Sequence, residues 1–333
     1  MTSDDPWSDL EPPVASDIIN ARRVDGKLRW GFFWAKGVDR RCLLILQHDP
    51  ASSSKAPLPR MRGIEISESD PDDGGPRMLS LKLVDAQHRD IFLTLCKDIV
   101  SASSMADTER EALATFLART WRWHHLLRGG GDGRLSAEEQ KGLIGELLVL
   151  KDRLAPDIGI RDAVKAWRGP TGAPKDFEVG RICVEVKARR GAARPFVAIS
   201  SEDQLDPDGT DALYLYVVEL DVAPDNVSTA FTLIDIARQV RDLVNSEHAA
   251  IEIFEQLLAA SGFLWSDDYS DLRWIAGPHR LFLVGEGFPS VTRAKAGPGV
   301  SRIRYEVALP ECEPFLAADA DLTTSLKGVA YGD

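Results

Sequence analysis

The chain has 333 residues, more than the roughly 100–200 of one ordinary domain, so it forms either two packed units or one elaborated domain. Hydrophobic residues make up 44% and charged residues 28%, proportions that exclude a wholly disordered or fibrous protein. The net charge of −12 excludes a protein that is basic overall. Any contact with nucleic acid therefore requires a local basic surface or a partner that supplies one.

The sequence has no signal for export or membrane insertion. Its N-terminus is acidic where a signal peptide begins with basic residues, and no apolar run approaches the ~18–20 residues of a membrane span. The cysteines stand singly, without a CxxC pair, which predicts reduced core residues and not a disulfide framework or a zinc ribbon. They are Cys42, Cys96, Cys183 and Cys312. We therefore expect a cytoplasmic protein without membrane contact.

The first 130 residues divide into a tail and a β-rich region. Residues 1–24 are rich in Asp, Pro and Ser and predict a flexible tail in which Trp7 and Leu10 dock on the body. In residues 25–130, short apolar or alternating runs separated by turn-forming segments predict an antiparallel β meander. Helical spacing follows over 89–127, and Gly129, Gly130 and Gly131 end it as a hinge or boundary.

Residues 131–333 have the order of an α/β domain. Ser136 and Glu139 form a capping box that begins an amphipathic helix running to Pro156. Two β runs then lead to further strands, two helices around 233–244 and 248–260, and two late strands. This order predicts a mixed central sheet flanked by helices.

The two β runs in residues 175–187 form a hairpin whose two-residue turn is Gly180 and Arg181. Glycine accepts the positive φ that such turns require. Counting outward from this turn places Asp176 opposite Glu185. Because side chains alternate along a strand, Lys187 shares the face of Glu185, while Val184 and Val186 point into the core.

Two carboxylates opposed in a sheet repel each other, by roughly 0.2–1 kcal/mol or more when they are desolvated. A divalent cation removes this repulsion, since Mg²⁺ binds converging carboxylate oxygens and completes its octahedron with water and substrate phosphate. Lys187 beside them would hold the attacking water or a phosphate oxygen. The pattern predicts metal-assisted hydrolysis of a phosphodiester.

Asp176 followed by Glu185, Val186 and Lys187 resembles the PD-(D/E)XK motif of restriction-type endonucleases, with Pro174 one residue early. The resemblance implies a restriction-endonuclease-like fold. It also implies that the helix before the hairpin contributes a glutamate, a place that Glu146 fits. More narrowly, residues 139–215 resemble an uncharacterised bacterial family of PD-(D/E)XK motif proteins associated with phage-defence and restriction islands.

Two further positions have competing interpretations. Glu146 lies among apolar helical residues, so it is either a metal ligand or a solvated residue at the edge of the helix. Gln204 follows the strand after the hairpin, where some relatives carry a further polar active-site residue, but it could equally be a cap or turn residue.

A local basic cluster is the predicted nucleic-acid contact. Residues 175–194 hold six Lys or Arg and three Asp or Glu, against the acidic balance of the whole chain. The cluster is either a solvated face or the surface that binds the phosphate backbone; its predicted contacts are Lys175, Arg189, Arg190 and Arg194. Trp167 either stacks on a base or, the interpretation we favour, fixes its loop to the core.

The preferred hypothesis is a DNA endonuclease that requires Mg²⁺, with Mn²⁺ as a substitute, in a bacterial restriction or phage-defence system. Glu146, Asp176 and Glu185 would bind the metal, and Asp176, Glu185, Lys187 and Gln204 would form the catalytic set. A second hypothesis is an inactive nuclease-fold module that binds nucleic acid or a protein partner of a defence complex. A third is an enzyme acting on another phosphate ester. A homodimer is a further option that the sequence leaves open.

Overall fold

The computed structural model describes residues 5–13, 20–52, 58, 63–69, 75–127, 134–224, 227–245, 247–297 and 299–330. The chain divides into two compact units, residues 1–133 and 134–333. The predicted glycine hinge at 129–131 lies outside the described residues. No helix in the described ranges has an apolar stretch long enough to cross a bilayer.

The first unit is an antiparallel sheet with two helices. Its elements are β1 Asn20–Arg23, β2 Gly31–Lys36, β3 Cys42–His48, β4 Ile64–Ser69, β5 Arg77–Leu83, α1 Arg89–Ser103 and α2 Glu109–Leu127. The strand order is β1-β2-β3-β5-β4, so the predicted antiparallel sheet is confirmed but its simple meander order is wrong. The connection from β3 to β4 is long enough for β5 to pair with β3 and leave β4 at the edge.

The core of this unit lies between the sheet and the helices. Phe32 and Leu44 from the strands meet Phe92 and Phe116 from α1 and α2. Trp7 is fully buried in this cluster and donates a hydrogen bond from Nε1 to the carbonyl oxygen of Leu43, 2.9 Å away. The predicted docking of Trp7 is therefore confirmed.

The second unit contains the mixed sheet. Its elements are α3 Ala137–Val149, α4 Ala155–Ile158, α5 Ile160–Ala166, β6 Phe177–Val179, β7 Ile182–Arg189, β8 Phe196–Ile199, β9 Ala212–Val222, α6 Leu233–Val244, α7 His248–Ala260, β10 Trp274–Val284, β11 Tyr305–Ala308, β12 Leu316–Ala317 and α8 Asp319–Ala330. The sheet order is β12-β10-β9-β7-β6; β7 and β9 are parallel and the other neighbours are antiparallel. The predicted mixed α/β fold is confirmed.

The two faces of this sheet have different covers. Val184 and Val186 of β7 point into the larger core, which includes Leu143 and Leu147 of α3. The opposite face carries Cys183 of β7 and is covered by the two-stranded sheet of β8 and β11. The sheet is therefore buried on both sides, as parallel strands in an α/β protein require.

Helix α3 begins at the predicted capping box, in which the Ser136 hydroxyl accepts from the Glu139 N–H and the Glu139 carboxylate accepts from the Ser136 N–H. A short π-helical segment over Leu150–Leu154 joins it to α4. Gly145 brings α3 close to the sheet: a Cβ there would lie 3.2 Å from Ala188 Cβ and 3.3 Å from Val218 Cγ1. The absence of a side chain at Gly145 thus sets the distance between α3 and strands β7 and β9.

We expect Gly145→Leu to lower the free energy of unfolding by about 1–3 kcal/mol, because the added side chain has to push α3 away from well-packed strands. The control is Gly142→Leu in the same helix, where an added Cβ would meet nothing within 4 Å. At Gly142 the better helix propensity of Leu should leave stability unchanged or raised. Urea denaturation of both variants measures the difference, and equal effects at the two positions would contradict this account of Gly145.

Candidate active site

The hairpin of β6 and β7 has the predicted register. Phe177 pairs with Val184, and Val179 pairs with Ile182 across the turn, where Gly180 has a φ of 58°. Alternation from Val184 then places Glu185 on the face opposite the larger core, with Lys187 next to it along the strand. The expected placement of Glu185 and Lys187 on one face is confirmed.

Asp176 lies just before β6, and its side chain provides the acceptor for a backbone N–H group of β7. Its Oδ2 accepts a hydrogen bond from the Val186 N–H at 2.8 Å. Its carbonyl oxygen accepts the N–H groups of Arg168 and Gly169, at 2.7 and 3.0 Å. These bonds fix both the carboxylate and the loop that precedes it. Burial raises the pKa of this carboxyl, although Lys187 and the Val186 N–H oppose the shift.

Glu185 is a fully buried carboxylate, with no exposed surface. Lys187 Nζ lies 2.8 Å from its Oε1 as an ion pair, but neither carboxylate oxygen has a partner with hydrogen-bond geometry within the described part of the chain. Burial, reinforced by the charge of Asp176, raises its pKa to about 8 despite the opposing effect of Lys187. A buried carboxylate without hydrogen bonds is costly, so this arrangement calls for a ligand.

Glu146 reaches the same site from α3. Its Oε2 accepts a hydrogen bond from Trp167 Nε1 at 2.6 Å. Burial and the charge of Asp176 raise the pKa of Glu146 well above its ordinary value, and the Trp167 bond opposes them. Glu146 is half-buried and a buried indole binds its carboxylate, which argues against a fully solvated residue at the helix edge.

Trp167 fixes its loop to the core, as favoured from the sequence. Its side chain is 1% exposed, and its ring lies 6.2 Å from that of Phe254. The sequence did not indicate its second role as the hydrogen-bond donor to Glu146. No local signal predicts that bond, because it joins a loop to a helix 21 positions earlier.

Gly169 is a further site residue that the sequence did not indicate. A Cβ at this position would lie 2.7 Å from Asp176 Oδ1 and 3.2 Å from Glu146 Oε2. The two carboxylate oxygens therefore flank one small space that only glycine leaves open. The turn signal around Gly169 and Pro170 was visible in the sequence, but its position beside two carboxylates was not.

Lys187 links the carboxylates to the loop after β8. Its Nζ donates to Gln204 Oε1 at 3.2 Å, and the same oxygen accepts the Ser200 N–H at 2.7 Å. Burial lowers the pKa of Lys187, but Glu185 and Asp176 outweigh it and the net shift is upward. The amine therefore stays charged, with Gln204 both holding it and bracing its own loop.

The basic residues predicted to bind nucleic acid lie in two kinds of surroundings. Lys175 is buried and donates to the Asp203 carbonyl oxygen at 3.1 Å. Arg189 is buried, pairs with Glu219 and donates to the Ala193 carbonyl oxygen at 2.6 Å, bonds that favour a structural role. Arg190 and Arg194 are exposed. The predicted contact thus stays a prediction, and only this exposed pair is placed to make it.

The fit of a divalent cation can be judged from the donor atoms. In the described ranges no group of three or more His, Cys, Asp or Glu side chains is arranged to hold a metal ion, so Glu146, Asp176 and Glu185 do not form a closed coordination sphere. Their chemistry nevertheless suits one: Glu185 has two buried oxygens without hydrogen bonds, and Asp176 and Glu146 flank the space at Gly169. Hard carboxylate oxygens are the ligands that Mg²⁺ prefers.

Comparison with known proteins identifies a family. A family model described as "Putative PD-(D/E)XK family member, (DUF4420)" matches residues 3–310. No curated protein and no solved structure matches the chain. The match begins in the first unit, extends into the second as far as residue 310, and includes every residue of the site described above.

We expect the metal-free protein to lose stability as pH rises towards 8. Between the ordinary value of 4.5 and about 8, folded Glu185 keeps a proton that the unfolded chain has released. The free energy of unfolding therefore falls with rising pH, by up to about 1.4 kcal/mol per unit for this one group.

Urea denaturation in EDTA at about pH 6 and about pH 8 measures this slope, which Glu185→Gln should reduce because the amide does not titrate. Glu178→Gln, on the neighbouring strand and half-exposed, is the control and should keep the wild-type slope. A slope that is the same in wild type and Glu185→Gln would show that Glu185 is ionised throughout.

Proposed function

Because the chain belongs to the DUF4420 family of PD-(D/E)XK proteins, we propose that it is a metal-dependent nuclease that hydrolyses phosphodiester bonds of DNA. The observation that carries the proposal is the buried Glu185 carboxylate, without hydrogen bonds and ion-paired to Lys187 beside Asp176. An ion pair with a purely structural role does not require further ionisable groups. Here Asp176 and Glu146 also interact electrostatically with the pair of Glu185 and Lys187.

Glu146, Asp176 and Glu185 would hold the cation, Mg²⁺ or Mn²⁺. When bound, such an ion offsets negative charge on the phosphate and makes a water molecule more acidic. Asp176 has one oxygen engaged by Val186 and its other facing the space at Gly169, so it can bind without leaving its backbone anchor. Trp167 holds the Glu146 carboxylate towards the same space.

Lys187 would orient the nucleophilic water or hold a phosphate oxygen. Its charge is secured by the ion pair with Glu185, and Gln204 accepts from one of its three ammonium donors. A further donor would serve water or substrate. Gln204 fixes the amine in this orientation, which is the role proposed for it.

Two observations support DNA as the polymer and a defence complex as the setting. Arg190 and Arg194 are exposed after β7, the strand that carries Glu185 and Lys187, and would meet the DNA backbone. The net charge of −12 favours a partner protein that adds basic surface, as in a bacterial restriction or phage-defence complex.

We expect Lys187→Ala to reduce cleavage of supercoiled and linear DNA with Mg²⁺ or Mn²⁺ by at least roughly 100-fold, as for the loss of a proton-transfer or orienting group. The matched control is Lys165→Ala, which removes an exposed lysine that pairs with Asp162 on α5. Gel assays of cleavage should show wild-type rates for Lys165→Ala. Cleavage that survives in Lys187→Ala would remove this residue from the mechanism.

An inactive module that binds nucleic acid or a partner is the second candidate. It is favoured by the absence, within the described residues, of a closed metal-binding group and by the acidic net charge. The two candidates differ in cation binding, because an inactive module has no need to bind a divalent ion at Glu185.

We expect millimolar Mn²⁺ to raise the melting temperature of the wild type, since a ligand at 100 times its Kd stabilises the folded state by about 2.7 kcal/mol. Glu185→Gln should abolish the shift, while Glu138→Gln, an exposed acid near the start of α3, should keep it. Differential scanning calorimetry with and without Mn²⁺ measures both. A wild type that does not respond would favour the inactive module.

A further inference from the structure

Residues 287–305 of the second unit form a basic segment that contains no Asp or Glu. In the whole chain, Asp and Glu outnumber Lys and Arg by 52 to 40. A solvated surface usually mixes both signs of charge, so this segment concentrates positive charge that the protein otherwise lacks. Its four basic residues are all exposed: Arg293, Lys295, Arg302 and Arg304.

Arg293 fixes the basic segment to the loop between β8 and β9. It forms an ion pair with Asp203, in which Nη2 donates to Oδ2 at 2.8 Å. Its backbone N–H donates to Asp206 Oδ2 at 3.2 Å. Arg293 is therefore an anchor, and its charge is neutralised within the fold.

Arg302 is anchored through its backbone and not through its side chain. Its φ of 60° lies in the left-handed region, which is uncommon for residues other than glycine. Successive backbone N–H groups around such a residue form a concavity that binds an anion. Here the anion is the carboxylate of Glu202, a residue 6% exposed, which accepts the N–H groups of Arg302 and Ile303 at 3.2 and 2.9 Å. The Arg302 guanidinium takes no part in this anchor.

The other charges of the basic segment have no acidic partner in the part of the chain that the structure describes. Lys295 Nζ donates to a neutral acceptor, the carbonyl oxygen of Ser290, at 2.9 Å. Within the same described ranges, the guanidinium groups of Arg302 and Arg304 form no hydrogen bond or ion pair. Arg189 is the contrast, since it is buried and paired within the fold. The basic segment is thus held in place while three of its charges face solvent.

The basic segment ends beside the loop that positions Lys187. Arg304 directly precedes β11, whose first residue pairs with the last residue of β8, and Ser200 directly follows β8. The Ser200 N–H donates to Gln204 Oε1 at 2.7 Å, and Lys187 Nζ donates to the same oxygen at 3.2 Å. Along this path, Arg304 Cα lies at most about 18 Å from Lys187 Nζ. A DNA duplex carries one phosphate charge per ~1.7 Å of its axis, so a duplex bound at Lys187 can also reach the basic segment.

We propose that the basic segment is a docking surface for the phosphate backbone of DNA, on which Lys295, Arg302 and Arg304 contact the duplex whose scissile bond lies beside Lys187. This inference rests on the proposed function. A polyanion is the occupant that fits, because the segment presents fixed positive charges that no acid of the described chain neutralises. Contacts with the phosphate backbone position a duplex without reading its bases, so the binding they supply is independent of sequence.

The test compares two double variants that lose the same charge. The segment variant combines Arg302→Gln with Arg304→Gln. The control combines Arg238→Gln on α6 with Lys165→Gln on α5, both exposed, on helices that pack against the larger core on the other face of the sheet. A general effect of net charge on DNA binding would appear equally in both. The readouts are melting temperature, binding of a labelled DNA duplex by fluorescence anisotropy with Ca²⁺ in place of Mg²⁺, and the kinetics of cleavage.

We expect the segment variant to bind DNA roughly 10–100-fold more weakly at ~0.1 M salt, and the control to bind as the wild type does. The dependence of log Kd on log salt should become less steep by about 2, because each lost phosphate contact removes about 0.9. KM for cleavage should rise while kcat stays unchanged, since the groups beside the scissile bond are untouched. The melting temperature should stay that of the wild type, because the two guanidinium groups make no internal bond.

A third variant separates charge from shape. Arg302→Lys combined with Arg304→Lys keeps both positive charges, and lysine binds phosphate as a point charge. This variant should bind DNA close to the wild-type affinity. Binding that falls as far as in the segment variant would overturn the inference of a phosphate contact based on charge.

The remaining outcomes are also decisive. Wild-type binding by the segment variant, or equal weakening in the segment variant and the control, would overturn the inference while leaving a nuclease that cuts DNA intact. A lower melting temperature of the segment variant would assign the two arginines to the fold and overturn it as well. Weaker binding in the segment variant, in a protein whose wild type binds but does not cut, would support the inference and reject hydrolysis. A wild type that neither binds nor cuts DNA would overturn both.

Discussion

The burial of the Glu185 carboxylate is the constraint on which the site depends. Taking a carboxylate out of water without hydrogen bonds is unfavourable, and a second acid beside it increases the cost. The ion pair with Lys187 offsets part of this cost. The raised pKa of Glu185 offsets another part, because in the absence of a cation the carboxyl can bind a proton and become neutral. The residues around Glu185 hold this unfavourable group in place.

The contacts that position the site carboxylates are few and come from separate elements of the fold. Gly145 lets α3 approach the sheet, which brings Glu146 within reach, and Gly169 leaves open the space that Glu146 and Asp176 flank. Trp167 and the Val186 N–H each hold one carboxylate by a hydrogen bond. None of these residues contributes charge, yet each decides where a charge lies. A nuclease-type motif therefore depends on neutral neighbours as much as on its acids.

The sequence predicted the parts of the site that follow from local rules. A glycine turn and strand alternation were sufficient to place Glu185 and Lys187 on one face, and a capping box located the start of α3. Contacts between distant segments were out of reach: the bond from Trp167 to Glu146, the position of Gly169 and the pairing of β8 with β11 all depend on the assembled fold. Arg189 shows the same limit, because a local charge count cannot reveal that Glu219 lies opposite it. In the first unit, the predicted strand order was wrong for the same reason. Local alternation predicts where the strands are, but not which strands pair with each other.

The protein and its site are both acidic, and under the proposed function this negative charge would repel DNA. Phosphate and carboxylate repel each other, so DNA approaches the site favourably only when protons or a cation neutralise the acids. A cation competes with the protons held by carboxyls of raised pKa, which links metal affinity to pH. Metal binding would then prepare the site for the polyanion as well as for the reaction. In a protein of net charge −12, that local reversal of sign would make the proposed contact with DNA favourable at this face.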